Sequence, residues 1–247
     1  MTLLVDVGNT RIRWAILDDG ALCGGAGVSH VGMDLGPLLE QRWEALARPE
    51  RILVSNVAGA EWAAALETWS RAHWDLAPEY VVPCRKAFGV INAYHVPQRL
   101  GADRWAALVA LRQRMKANAF VVDCGTAITV DVLSAEGEHL GGLIIPGLAM
   151  MRRALAQQTA GVPDEPDGQV SLLARDTRDA VTGGTLYAVV AALDRVVGDI
   201  AEVLTPEPTP VITGGDAERV LPLLCRRYIH APDLVLEGLA VMAACDS

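Results

Sequence analysis

Two stretches of this chain place a lone carboxylate at the end of an apolar run, then a glycine, then a hydroxyl or amide. The first is Asp6-Val7-Gly8-Asn9-Thr10, with a second apolar run at 12–17; the other is Asp123-Cys124-Gly125-Thr126-Ala127, followed by 128–133. Each reads as two strands joined by a tight turn. A glycine there lets the backbone approach a ligand, and successive N–H groups make an anion-binding concavity. Asn9, Thr10 and Thr126 add side-chain donors. Asp6 can hold a metal ion that bridges phosphates. Either stretch alone is equally an ordinary hairpin with a glycine turn. Two of them, each opening a half-chain of matching layout, favour a phosphate site.

A third group is Gly101-Ala102-Asp103-Arg104, which opens a helix after an irregular, proline-containing approach. A carboxylate there can accept a proton from a substrate hydroxyl, and Arg104 can clamp an anionic group. Aspartate is also favoured as a helix cap, so this group alone decides nothing. Tyr94, just upstream, either lines a pocket or fills the core. Thr177, between Asp176 and Asp179, is a helix cap or a ligand contact. Gly214-Gly215-Asp216 is a strand-to-helix turn suited to close approach of a nucleoside.

Several chemistries are excluded by what is missing. Neither lysine, Lys86 nor Lys116, follows a glycine, so there is no P-loop, and neither G-x-G-x-x-G opening a βαβ unit nor G-x-S-x-G occurs. The net charge of −9 and the lack of a Lys/Arg cluster argue against nucleic acid. Five scattered cysteines without C-x-x-C fit reduced thiols in a cytoplasm, and five dispersed histidines show no zinc spacing. Asp6 interrupts the first apolar run, so no signal peptide is expected. Uninterrupted apolar stretches such as 186–193 are far shorter than the roughly 20 residues of a membrane span.

The elements that must position these groups follow from periodicity. Helices are expected at 33–47, 61–71, 103–116, 150–158, 179–204, from 217, and at 234–244. Beyond the two hairpins, strands are expected at 52–57, 80–82, 140–145, 211–213 and 228–229. Residues 88–100 and 159–168 read as irregular, and Asn118 as the end of the helix that starts at 103. Each half opens with a hairpin and then alternates helix and strand. The expected architecture is α/β, with two similar halves, 1–116 and 117–247, packed with a cleft between them.

The set Asp6–Thr10, 101–104, 123–127, Gly141-Gly142-Leu143-Ile144-Ile145-Pro146-Gly147 and Thr213-Gly214-Gly215, in this order and across almost the whole chain, resembles the type III pantothenate kinases. These are a branch of the sugar-kinase, actin and chaperone-ATPase superfamily, with ribonuclease-H-like halves. The resemblance implies transfer of the γ-phosphate of ATP to the terminal hydroxyl of pantothenate, giving 4'-phosphopantothenate, the first step of coenzyme A synthesis. It implies that Asp103 is the general base, that Gly101, Ala102, Asp103, Arg104, Tyr94 and Thr177 contact pantothenate, and that Asp123 holds a potassium or ammonium ion. Asp6, Val7, Gly8, Asn9, Thr10, Arg11, Ile12, Arg13 and Thr126 then contact ATP, with Mg²⁺ near Asp6. It further implies a cytoplasmic homodimer that binds neither membrane nor nucleic acid. A superfamily kinase for another small hydroxylated substrate, or an ATP-binding regulatory accessory factor, are the alternatives.

Overall fold

The computed structural model describes residues 1–162 and 168–245. The expected irregular segment 159–168 therefore lies partly outside the described residues. The chain forms two compact units. One comprises Met1–Lys116, Glu136–His139 and Asp233–Ser247, the other Ala117–Ala135 and Leu140–Pro232.

The first unit begins with β1 (Thr2–Val7), β2 (Arg11–Asp18) and β3 (Ala21–Ser29), followed by α1 (Leu35–Trp43), β4 (Arg51–Asn56), α2 (Ala60–Trp74) and β5 (Glu79–Tyr80). The strand order is β3-β2-β1-β4-β5; β2 is antiparallel to β1 and β3, and β4 is parallel to β1 and β5. Alternation along β1 sends Leu3, Val5 and Val7 into a core shared with Ile12, Ile52, Val54, α1 and α2. Trp43 is fully buried there, with the rings of Trp14, Trp69 and Trp74 between 5.6 and 5.9 Å from its own. The other face of β1 carries Leu4 and Asp6.

The strand β3 was not expected. Its Cys23-Gly24-Gly25-Ala26-Gly27 run has no apolar alternation, and most of it is exposed at the sheet edge. Residues 88–100 are also more ordered than expected. A short ribbon, β6 (Lys86–Ala87) and β7 (Val90–Ile91), and a 3₁₀ turn at Pro97–Arg99 lead to α3 (Ala102–Arg114). Trp105, Leu108, Val109 and Leu111 are at most 1 % exposed, so α3 is a core helix.

The second unit contains β8 (Ala119–Cys124), β9 (Ala127–Leu133), β10 (His139–Pro146), α4 (Leu148–Gln158), α5 (Thr177–Val203), β11 (Thr209–Thr213), α6 (Ala217–Val220) and β12 (Ile229–His230). Its strand order is β10-β9-β8-β11-β12, with β8–β9 antiparallel and β8–β11–β12 parallel. Strand for strand this repeats the first unit. Among the described residues α5 alone is long and apolar enough to cross a bilayer. One face of it, Leu186, Val189, Val190, Leu193 and Val197, is instead buried against the sheet, which explains its hydropathy. Asn118 does not end α3, which stops at Arg114. Its buried side chain donates to Pro206 O (2.9 Å) and accepts from Ala135 N (2.9 Å).

The last helix, α7 (Leu234–Cys245), packs with the first unit. Gly238 faces the backbone of Ala106 on α3, where a Cβ would come within 2.0 Å of the carbonyl oxygen. Glu237 accepts two bonds from Arg114 (2.7 and 2.6 Å).

Candidate active site

Asp6 and Asp123 occupy the same place in their sheets, the penultimate residue of the central strand. Asp6 is registered opposite Arg13 on β2 and Ser55 on β4; Asp123 is opposite Thr129 on β9 and Thr213 on β11. The turns that follow are closed by the glycine itself, Gly8 N–H to Arg11 O (2.9 Å) and Gly125 N–H to Ala127 O (3.2 Å). These two N–H groups therefore serve the turn rather than an anion. Neither glycine is demanded by conformation, because neither has a positive φ; a Cβ would press on Arg11 O at 3.3 Å or touch Ala127 O at 3.4 Å, without the overlap seen at Gly147 and Gly214. Asn9 and Arg11 are exposed, and Thr10 and Thr126 half-buried. Val7 and Ile12 point into the core, so they can offer a ligand only backbone atoms.

The first turn is held by His30, which the sequence did not single out. Its ring Nε2 lies 2.7 Å from Gly8 O, and its backbone N–H donates to Thr10 O (3.0 Å). A carbonyl only accepts, so Nε2 carries the proton. His30 is buried and lies against Trp62, ring centroids 3.8 Å apart. A single histidine just beyond an unrecognised strand gives no signal in one sequence. Arg13, across from Asp6, pairs with Asp233.

The second turn is held by backbone. Gly147 N–H donates to Thr126 O (3.1 Å), and a Cβ on Gly147 would lie 2.4 Å from Gly125 O and 2.5 Å from Thr126 O. Gly214 sits at φ +94°, and its Cβ would be 2.5 Å from Asp123 Oδ1. Asp216 N–H donates to Cys124 O (3.0 Å). Cys124 points into the core, where burial first, then Asp123 and Asp216, push its thiol far up and keep it neutral.

In the first unit α3 starts at the carboxyl edge of the sheet. Gly101 abuts Val57, whose N–H donates to Val7 O (2.9 Å). A Cβ on Gly101 would lie 2.4 Å from Asp103 Oδ1, so the glycine makes space for that carboxylate. Asp103 Oδ1 accepts from Arg104 N (2.7 Å), which fixes it at the helix start. Arg104 is buried; its Nη1 donates to Tyr94 OH (2.7 Å), and the guanidinium sits 5.6 Å from the Tyr94 ring centre. His139 stacks against Tyr94, centroids 6.1 Å apart. The grouping of Asp103, Arg104 and Tyr94 is a half-buried carboxylate beside a fixed cation, suited to an anionic hydroxylated ligand.

Thr177 does not cap α5. Asp176 does, accepting from Asp179 N (2.9 Å), and that bond first of all holds its carboxyl below the usual range. Thr177 instead lines a mainly apolar cavity of about 1100 Å³ in the second unit, with Met150, Met151, Leu155, Ala180 and Val181. Among the described residues no three His, Cys, Asp or Glu side chains are grouped to hold a metal ion.

Comparison with known proteins gives the same direction. The profile of the type III pantothenate kinase family matches residues 2–199. A type III pantothenate kinase from Nitrosococcus oceani is 47% identical over 249 residues, covering 98% of this chain and 94% of the relative. Among solved structures, a proposed Baf family transcriptional activator from Campylobacter jejuni superposes with a TM-score of 0.62 at 19% identity, covering 99% of this chain and 100% of its own. A proposed 2-dehydro-3-deoxygalactonokinase from Sinorhizobium meliloti gives 0.62 at 14% identity, covering 99% and 96%. The two structures bear on the fold alone.

Proposed function

The chain belongs to the type III pantothenate kinase family, and from that premise we propose how its residues carry out phosphorylation of pantothenate by ATP. The substrate hydroxyl oxygen forms a bond to the γ-phosphorus, the bond from that phosphorus to the bridging oxygen breaks, and ADP leaves. The hydroxyl proton goes to Asp103. The observation that carries this assignment is the room Gly101 leaves beside Asp103 Oδ1, where any other residue would put a Cβ at 2.4 Å. Arg104, fixed by Tyr94, holds the pantothenate carboxylate, and Thr177 is a further substrate contact. The stretch Asp6–Arg13 and Thr126 receive the phosphates of ATP, with Asn9, Thr10 and Thr126 donating from their side chains.

The residues fit the ions that this family's reaction implies. Asp6 offers the single carboxylate with which Mg²⁺ is commonly held beside substrate phosphates. Asp123 offers a carboxylate oxygen, a hard donor suited to such a cation, and Gly214 leaves space at its Oδ1 that a Cβ would fill. Bound there, a potassium or ammonium ion, together with Mg²⁺ at Asp6, supplies positive charge to the transferring phosphoryl group. The halves 1–116 and 117–247 are read as duplicated copies, the last helix packing back on the first. A second copy of this chain is the proposed cover for Leu140, Leu143, Ile144, Leu172 and Leu173, all exposed, the last by 84 %.

Replacing Asp103 tests the reading. Asp103→Asn is expected to keep the far-UV spectrum and to lower kcat by about 10²–10⁴-fold in an assay of pantothenate phosphorylation. Near-normal turnover of that variant would remove Asp103 from the chemistry.

A further inference from the structure

Tyr94 is half-buried although Ala93, His95 and Val96 around it are exposed, so something turns this loop inward. Asn92 is 1 % exposed and makes two bonds across the loop: its Oδ1 accepts from Tyr94 N (3.0 Å), and its Nδ2 donates to Pro97 O (3.2 Å). Arg85 grips the same loop from outside. Its Nη1 donates to Asn92 O (2.8 Å) and its Nη2 to His95 O (3.0 Å), while its own carbonyl accepts from Asn92 N (2.9 Å). Every one of these bonds ends on backbone between residues 92 and 97 or on Arg85 itself. The loop reaches α3 through Tyr94 OH, which accepts from Arg104.

We propose that Asn92 and Arg85 form a latch that sets the Tyr94 hydroxyl and, through it, the Arg104 guanidinium, making both positioning residues for pantothenate. The inference rests on the reading that Tyr94 and Arg104 hold that substrate. The physical reason is selective. The Arg104 guanidinium donates to the Tyr94 hydroxyl, so the place of that hydroxyl bears on its aim, and a tyrosine on an unlatched loop has several places to be. Neither residue reaches the phosphate-binding turns, so the effect falls on one substrate only.

Initial rates of the full-length protein, with each substrate varied in turn, test this. Asn92→Ala is expected to raise KM for pantothenate by about 10-fold, the equivalent of one or two lost hydrogen bonds, with KM for ATP within about twofold. Arg85→Met, at a surface position, is expected to move the same constant by about threefold and serves if Asn92→Ala does not fold. Tyr94→Phe, which removes the acceptor, should also raise it, and the Asn92→Ala/Tyr94→Phe double variant should show far less than the product of the two effects. Effects that multiply, or an ATP constant that rises in step, mean that Asn92 is merely structural and overturn the latch. A raised constant in Tyr94→Phe with no change in Asn92→Ala and Arg85→Met overturns the latch alone. An inert Tyr94→Phe overturns the placement of pantothenate at Tyr94 and Arg104, and the latch with it.

Discussion

The two Asp-x-Gly turns are copies that have been supported in opposite ways. In each unit the residue just after the third strand reaches across to the turn. His30 N–H bonds Thr10 O, and Gly147 N–H bonds Thr126 O. In the first unit that residue is large and adds a ring nitrogen on Gly8 O. In the second it has no side chain, and a Cβ would collide with two carbonyls. The residues after the parallel neighbour differ too. Val57 N–H meets Val7 O directly, whereas in the second unit Asp216 N–H reaches Cys124 O only after Gly214 takes a left-handed φ. The first turn is thus propped from its side by a side chain, and the second is enclosed by backbone. The glycines inside the turns follow another rule. At Gly8 and Gly125 a Cβ would meet a single carbonyl at 3.3 or 3.4 Å, and in the function proposed above their role belongs to the ligand, while Gly147 and Gly214 belong to the architecture.

The sharpest way to break this distinction is Gly214→Ala. A side chain at φ +94° that also meets Asp123 Oδ1 at 2.5 Å is expected to cost about 3 kcal/mol, a fall in Tm of roughly 6–12 °C, with loss of most activity. Unchanged melting would mean that the second turn is not enclosed as described. Gly8→Ala should do the reverse. Its Cβ meets only Arg11 O, at 3.3 Å, so Tm should stay within about 2 °C while KM for ATP rises on the order of 10-fold; melting that falls without any kinetic change would place Gly8 with the architectural glycines. His30→Ala removes one hydrogen bond and the contact with Trp62. Its expected cost is about 1–2 kcal/mol, with a rise in KM for ATP of roughly threefold, and calorimetry with initial rates checks both. The smallest effect concerns helix starts. Asp176 caps α5, whereas Asp34, the residue before α1, makes no side-chain cap bond. Because the folded-state pKa of Asp176 is lowered, its contribution is present above the ordinary carboxylate pKa and fades as pH falls through the folded value. Asp176→Ala should therefore lower Tm slightly at pH 7 and not at all in strong acid, and Asp34→Ala should show no such pH dependence.

Much of this was legible because it is local. The Asp-x-Gly turns, the buried helix behind Asp103 and the amphipathic α5 each follow from a short pattern of residue types. Strand β3 was not legible, since its glycine-rich edge needs no alternation, and its place comes from pairing with β2. Without β3 nothing draws attention to His30. Thr177 was placed next to the right cap but one residue late, because Asp176 and Thr177 both suit that position. Asn118 looked like a helix end and is a buried cross-link, a role fixed by partners 17 and 88 residues away. Asn92 and Arg85 escaped for the same reason, as their partners are carbonyls and backbone amides that any residue supplies.

The seating of α7 on α3 has a consequence for how the chain acquires its shape during synthesis. Arg114 and Glu237 are 123 residues apart, and Gly238 fits against Ala106 at a similar remove. The ribosome emits about 5–20 residues per second, so α3 waits roughly 6–25 s for the helix that covers it. During that interval the nascent first unit has no cover for one face of its most buried helix. A stop codon just after Pro232 would leave that wait without an end, and such a chain is expected to be found with chaperones or in the insoluble fraction.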